Sequence, residues 1–161
     1  MPCLVRPVTP ADHPALIEQF LALNQHEAEI VSDRRTDREA AELALPAALR
    51  LAAECGGHAL VAELDRRVVG HAFVLYRRDG VYVRTALRDY AYLSELYVRP
   101  EVRRQGVARA LMDRAEALAR ARGVRRLVLS VLAGNDVAEP FYAALGYRPY
   151  VIDLQKVFGE D

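Results

Sequence analysis

Three sets of residues have types and spacings that could do chemistry. Residues 103–108 read Arg-Arg-Gln-Gly-Val-Ala, between the apolar run Tyr90–Val98 and a strongly helical run that ends near Arg122. A strand that turns through a glycine into a helix aims unpaired backbone N–H groups at one spot. The positive end of the helix dipole adds to them, and together they make an anion site suited to a phosphate-bearing ligand. Gly106 has no side chain to block a phosphate, Ala108 keeps the next turn small, and Arg103, Arg104 and Arg109 bring charge. The bland account is a loop glycine ahead of an ordinary helix. Of the 22 basic residues all but Lys156 are arginine, so arginines meet often in this chain.

The second set is a lone carboxylate. Glu95 lies in Tyr92-Leu-Ser-Glu-Leu-Tyr-Val98, and period-2 alternation puts it on the same face as Leu93 and Tyr97. A carboxylate on such a face is costly without a partner or a task. Burial would raise its pKa toward general-base values; pairing with an arginine is the alternative. The third is Tyr142, in Glu139-Pro-Phe-Tyr-Ala-Ala-Leu-Gly-Tyr147. Its hydroxyl can donate a proton to a leaving thiolate, since both have high pKa values. Taken alone, Tyr142 is more simply a core aromatic beside Phe141, and Asn135 is most simply a loop or helix-cap residue.

The elements that must hold these residues follow from periodicity and punctuation. Leu4–Pro7 reads as a short opening strand. Thr9 or Asp12 can cap a helix over Pro14–Leu23, and the polar stretch Asn24–Asp37 reads as a loop or irregular helix. A second helix, about Arg38–Cys55, is ended by Gly56 and Gly57. Ala59–Glu63 and Val68–Tyr76 are strands joined by the turn Leu64–Arg67, and Arg77–Asp89 is a longer connection in the manner of an extended hairpin. After strand Tyr90–Val98, the next helix has Ala108, Leu111, Ala115, Leu118 and Ala119 on one face. Arg109–Asp113 and Glu116–Arg120 are i,i+4 pairs on the other, and Gly123 stops it. Arg126–Leu132 is an almost unbroken apolar strand, as for one buried on both faces. A short helix over Ala138–Leu145 carries Pro140 in its first turn, and Tyr147–Val157 supplies one or two final strands. Strand, helix and strand over 90–132 make a crossover with parallel neighbours, beside antiparallel pairing over 59–98. The fold class is therefore α/β (α+β), a mixed, mostly antiparallel sheet with helices on both faces.

The whole chain sets bounds. Its 161 residues suit one domain over 1–161, with 52% hydrophobic and 27% charged residues. A formal net charge of zero gives no global attraction to nucleic acid or to an anionic membrane. Cys3 and Cys55 are too few for a disulfide framework, and a reducing cytoplasm fits. His13, His26, His58 and His71 have no metal spacing, so no metal is expected. The stretch Cys55–His58 is better explained as a helix-to-strand turn than as a thiol nucleophile. The start lacks a signal peptide's long apolar run, and no stretch is apolar enough to span a membrane.

These residues together match a pattern. The chain resembles the GNAT superfamily of acyl-CoA-dependent N-acyltransferases through Ser94 to Leu111, then Leu129-Ser-Val, then Asn135, and then Phe141 through Tyr147. The Arg/Gln-x-x-Gly-x-Gly/Ala signature of the family is met by Arg103, Gly106 and Ala108. The match is strong over residues 68–150 and loose over the first 60, where such enzymes vary their acceptor sites. The resemblance implies that acetyl-CoA, the acyl donor, lies in a wedge where the strand at 93–98 splays from its parallel neighbour at 126–132. Backbone groups near Leu96, Tyr97 and Val98 would pair with the pantetheine arm. The N–H groups of Arg104, Gln105, Gly106, Val107, Ala108 and Arg109 would hold the pyrophosphate. Asn135 and Tyr142 match cofactor-contacting positions, Tyr142 matches the usual general acid, and Glu95 matches one position where the family often has its base.

An amine is mostly protonated at neutral pH and cannot attack until it loses a proton. Glu95, directly or through water, would take that proton, and a backbone N–H such as that of Tyr97 would stabilise the oxyanion. The expected activity is acetyl transfer from acetyl-CoA to a primary amine by direct attack, on a small-molecule acceptor. A protein N-terminus or lysine is the alternative acceptor, and a non-catalytic acyl-CoA sensor or interaction module is the alternative of another class. A Rossmann domain fits poorly with Gly106 alone. His26, Glu27, Glu29 and Asp33 suggest an acidic mouth for a cationic amine, which Arg34, Arg35 and Arg38 offset. A homodimer stays open.

Overall fold

The longest runs of β-branched and aromatic residues become the middle of a sheet. The computed structural model describes residues 3–159, in two units, one through Ser130 and one from Val131 onward. The first unit holds five strands in the order β1-β2-β3-β4-β5: β1 Leu4–Pro7, β2 His58–Leu64, β3 Arg67–Arg78, β4 Asp89–Val98 and β5 Leu127–Leu129. The first four pair antiparallel, and β4 pairs parallel with β5. The mixed, mostly antiparallel sheet read from the sequence is the one observed.

Helices cover both faces. Helices α1 (His13–Ala28) and α2 (Arg38–Glu54) pack Leu16, Phe20, Ala41 and Leu45 against Val61, Phe73 and Leu75. Asp37 caps α2 by accepting from the Ala40 amide at 3.1 Å. Asp12 precedes α1. It accepts from the Thr9 amide and hydroxyl and takes a two-pronged contact from Arg6, which holds its carboxyl well below the usual range. Helix α4 (Val107–Ala121) lies on the opposite face and buries Val107, Leu111, Met112, Ala115 and Ala119. A Cβ at Gly70 would stand 2.7 Å from the Tyr97 carbonyl oxygen and 3.3 Å from Leu111 Cδ1. The missing side chain lets β3, β4 and α4 approach at that point. The pairs Arg109–Asp113 and Glu116–Arg120 form as expected.

His71, on β3, is fully buried, stacked between the rings of Phe20 and Tyr97. Gln19 donates to the Val68 carbonyl, so its oxygen accepts from His71 Nδ1 at 2.9 Å. Burial keeps this imidazole neutral, pushing its pKa down to about 3. It is a packed core histidine.

Several boundaries differ from expectation for physical reasons. Helix α1 runs on to Ala28, because Asn24 to Ala28 contain no glycine or proline and their polar face is tolerated at the surface. The hairpin expected over Arg77–Asp89 is observed at its ends, where Arg77 pairs with Tyr90 and Arg78 with Asp89, but its 79–88 loop is not plain ladder. It carries the short helix α3 (Thr85–Arg88), tied by the Asp79 amide on the Arg88 carbonyl and by Arg88 on the carbonyls of Val83 and Val81. Strand β5 is three residues long and half-buried, because it pairs only with Ala91–Leu93 of β4. In the second unit, α5 (Ala138–Ala144) forms as expected, but residues 147–158 form no strand. A strand needs a neighbour to satisfy its amides and carbonyls, and the described residues of this unit supply no other strand.

Candidate active site

The site residues of the first unit follow one another along β4 and the turn after it. The register pairs Phe73 with Glu95 and then Val74 with Leu93, so Ser94 is an extra residue on β4, a β-bulge. Partners in register share a face and consecutive residues do not. Glu95 therefore lies with Phe73 and Tyr97 on the α1 side, and Leu93 lies on the other. This corrects the expected alternation, which placed Leu93, Glu95 and Tyr97 on one face. The bulge re-aims the carboxylate. Half-buried there, Glu95 has its pKa pushed up to about 7, first by burial and next by the negative charge of Glu27, against a smaller opposing pull from Arg34.

The bulge also marks where the sheet parts. The parallel pairing of β4 with β5 ends at Leu93 and Leu129, just after which the Tyr92 hydroxyl meets Ser130 Oγ at 3.0 Å. Leu96, Tyr97 and Val98 keep their β3 neighbours, but no described strand pairs with their other edge. The ladder aims the backbone groups of Leu96 and Val98 at that edge, where Arg103 takes the Val98 carbonyl and the Leu96 groups and the Val98 amide are left to pair with an extended ligand arm.

Strand β4 runs into a 3₁₀ turn at Pro100–Val102 and then into the glycine turn. Arg103 Nε donates to the Val98 carbonyl at 3.1 Å and ties the turn to the strand end. Gly106 has φ +84, and Arg104 also has a left-handed φ of 64. A Cβ at Gly106 would meet nothing within 4 Å, so the glycine opens on free space. The α4 ladder starts with the Ala110 amide on the Gly106 carbonyl at 2.9 Å. Among the described residues, the amides of Arg104, Gln105, Gly106, Val107, Ala108 and Arg109 have no backbone acceptor. This fits a diphosphate: open donors around a glycine at the positive end of a 15-residue helix.

The second unit carries Asn135 and Tyr142. The Asn135 side-chain oxygen accepts from the Ala138 amide at 3.1 Å, which steadies the start of α5. The Tyr142 ring packs on Phe141 and Tyr147, with centroids 5.2 and 5.8 Å away. Burial pushes its hydroxyl up to about 12, and no described residue takes a hydrogen bond from it.

The acidic stretch near 26–38 is sorted by its pairs. Arg35 binds Asp37 and Glu39, and Arg38 binds Glu18 and Glu42. Arg34 alone binds Glu27 together with Asp33. Among the described residues, no three His, Cys, Asp or Glu side chains group as a metal set, and no helix is long and apolar enough to cross a membrane.

The fold is similar to those of solved acetyltransferases. A GCN5-related N-acetyltransferase from Ralstonia eutropha superposes with a TM-score of 0.73 at 22% identity, covering 98% of this chain and 100% of that one. The aminoglycoside antibiotic 6'-N-acetyltransferase from Acinetobacter haemolyticus gives 0.72 at 20% identity, covering 98% and 99%. In sequence, a thialysine N-epsilon-acetyltransferase from Caenorhabditis elegans is 38% identical over 63 residues, 39% of each chain. The profile of the acetyltransferase (GNAT) family matches residues 18–147. The chain belongs to the acetyltransferase (GNAT) family, the class of acyl-CoA-dependent acetyltransferases to which its motifs pointed.

Proposed function

We propose that this protein transfers the acetyl group of acetyl-CoA to a primary amine of a small molecule, by direct attack and without an acyl-enzyme. The observation that carries the reading is the order of features along β4. A carboxylate with its pKa near 7 comes first, then a strand edge without a strand neighbour, then a cradle of open amides. In this reading the amides of Arg104–Arg109 hold the donor's diphosphate, and the free edge at Leu96–Val98 holds its pantetheine arm. Arg103 acts by fixing the turn to β4. Asn135 adds a polar contact to the donor.

Glu95 accepts the proton of the acceptor ammonium, directly or through water. The neutral nitrogen attacks the thioester carbonyl and the N–C bond forms; the Tyr97 amide, first expected to stabilise the oxyanion, faces β3 in the ladder, so that role falls to the Leu96 amide on the other edge. The C–S bond then breaks, and Tyr142 gives its proton to the departing thiolate. A tyrosine raised to about 12 keeps its proton until a strong base forms beside it. The names thialysine N-epsilon- and aminoglycoside 6'-N-acetyltransferase denote acceptor nitrogens of small molecules, which supports a small amine here. The test is a panel of small amines incubated with acetyl-CoA while free thiol is followed. Amine-dependent thiol release that yields the N-acetyl product is expected. A protein that binds acetyl-CoA but releases thiol with none of the amines, and none with peptides, would be a sensor instead.

A further inference from the structure

The end of α4 away from the glycine turn borders an open cleft. Its volume is about 440 Å³, and Cys55, Tyr76, Arg78, Asp89, Arg122 and Val124 stand around it. At about 1.5 Å per residue, the 15 residues of α4 put this cleft roughly 20 Å from Gly106. An arginine at the C-terminus of a helix ordinarily caps its last carbonyls. Here those carbonyls have other donors. The Leu118 carbonyl accepts from the Arg122 amide at 3.0 Å and from the Tyr76 hydroxyl at 3.2 Å. The Ala119 carbonyl accepts from the Val124 amide, and that of Arg120 from the Gly123 amide. The Arg122 guanidinium is left over. It lies 4.8 Å from the centre of the Tyr76 ring, and a Cβ at Gly56 would stand 3.4 Å from its Nη1. No described residue gives it a carboxylate or a hydrogen-bond acceptor. The other charges nearby are engaged. Arg78 at the rim meets Asp89 at 3.1 Å, Arg120 meets Glu116, and Arg77 turns over the Tyr92 ring. The Cys55 thiol sits between the Tyr76 amide and the Ala52 carbonyl. His58, its ring 5.8 Å from that of Tyr76, is held below its ordinary pKa by burial and then by the positive charges of Arg114 and Arg122. The positive field at this end of the helix is thus not offset.

We propose that this cleft binds a small organic oxyanion, a carboxylate or a phosphate ester, with Arg122 as its anchor. A guanidinium offers paired N–H donors that match such a group. The Tyr76 ring, fixed by its hydroxyl on α4, holds one face of the guanidinium and leaves the N–H edge to the ligand. The cleft has room for a carbon body beside Tyr76 and Val124. The inference does not rest on the role of Glu95 or on acyl transfer, and the cleft can be filled while the glycine turn is occupied.

The test is an amide ¹H–¹⁵N titration of the full chain with succinate and, separately, with inorganic phosphate. It is run at constant ionic strength, with and without saturating CoA. Saturable shifts are expected at Gly56, Tyr76, Gly123 and Val124 with at least one probe, and CoA should not abolish them. The probe that binds more tightly tells a carboxylate site from a phosphate site. Arg122→Gln should weaken that probe roughly 10–100-fold, as for one lost contact to a charged group. Arg120→Gln, close by on α4 and paired with Glu116, should keep the wild-type affinity, which guards against a general loss of positive charge. No saturable shift with either probe would overturn the inference. So would shifts confined to Arg104–Arg109 that CoA abolishes, which put the anion on the glycine turn. Equal losses in the two variants, or full affinity in Arg122→Gln, would overturn it as well.

Discussion

Glu95→Gln should make the protein more stable at neutral and alkaline pH while it removes the proposed base. The folded state raises the Glu95 pKa from 4.5 to about 7. Between those values the folded chain holds a proton that the unfolded chain has released, so stability falls as pH rises through that window. At about 1.36 kcal/mol per pKa unit, the full shift corresponds to ~3 kcal/mol. The half-buried position of Glu95 leaves some solvent screening, which brings the expected effect to ~1–2 kcal/mol. For a chain of this size each kcal/mol moves Tm by roughly 2–4 °C. Thermal melts of wild type and Glu95→Gln should therefore nearly coincide at pH 4, diverge through pH 5–7, and differ by ~2–8 °C above pH 8, with the variant higher. Glutamine keeps the shape and a hydrogen-bonding oxygen but has no charge to bury, so the variant's own profile should lack this fall. Two melting curves that run parallel from pH 4 to pH 9 would refute the claim that burial raises this carboxyl.

Gly106→Val places a branched side chain at φ +84 beside the open amides. It should cost roughly 1–3 kcal/mol of stability yet leave the chain folded, since a Cβ there meets nothing within 4 Å. Calorimetry should show CoA affinity down roughly 100-fold, as for two lost hydrogen bonds to a charged group; unchanged affinity in a folded variant would remove the cradle from the account. Tyr142→Phe keeps the packing on Phe141 and Tyr147 and should lower turnover by about 10²–10⁴-fold with little change in CoA affinity. Full turnover with a slow acceptor, where chemistry limits the rate, would deny Tyr142 the acid role. Asp12→Asn should destabilise the fold by ~1–3 kcal/mol at pH 7, read by urea unfolding, by weakening the contacts with Arg6 and Thr9. Because the carboxyl is held below its ordinary value of 3.8, the wild-type advantage should persist above that pH and fade as pH falls below it.

The glycine turn before α4 was legible because its signals are local. A glycine at the strand-to-helix junction, followed by apolar residues at helical spacing, fixes both Gly106 and α4 without knowledge of distant contacts. The antiparallel run β2-β3-β4 was legible for the same reason. The place of Glu95 on β4 was legible, but its face was misassigned. One inserted residue at Ser94 reverses the parity of the strand, while Leu93, Glu95 and Tyr97 still alternate in the sequence. Strand ends depend on partners as well as composition. The apolar run Arg126–Leu132 is long enough for a full strand, yet only Leu127–Leu129 find pairing on β4. With 22 basic and 22 acidic residues, composition alone cannot pair Arg34 with Glu27 while Arg38 goes to Glu18. That pairing depends on how the loop after α1 folds back.

The central claim is that the free edge of β4 and the turn behind it hold the acyl donor. Amide ¹H–¹⁵N spectra of the full chain titrated with CoA test it most directly. The largest shifts are expected at Leu96, Tyr97 and Val98 and at Arg104 through Arg109, saturating together at one affinity. Saturable CoA binding that leaves those amides unmoved and shifts others instead would contradict the account.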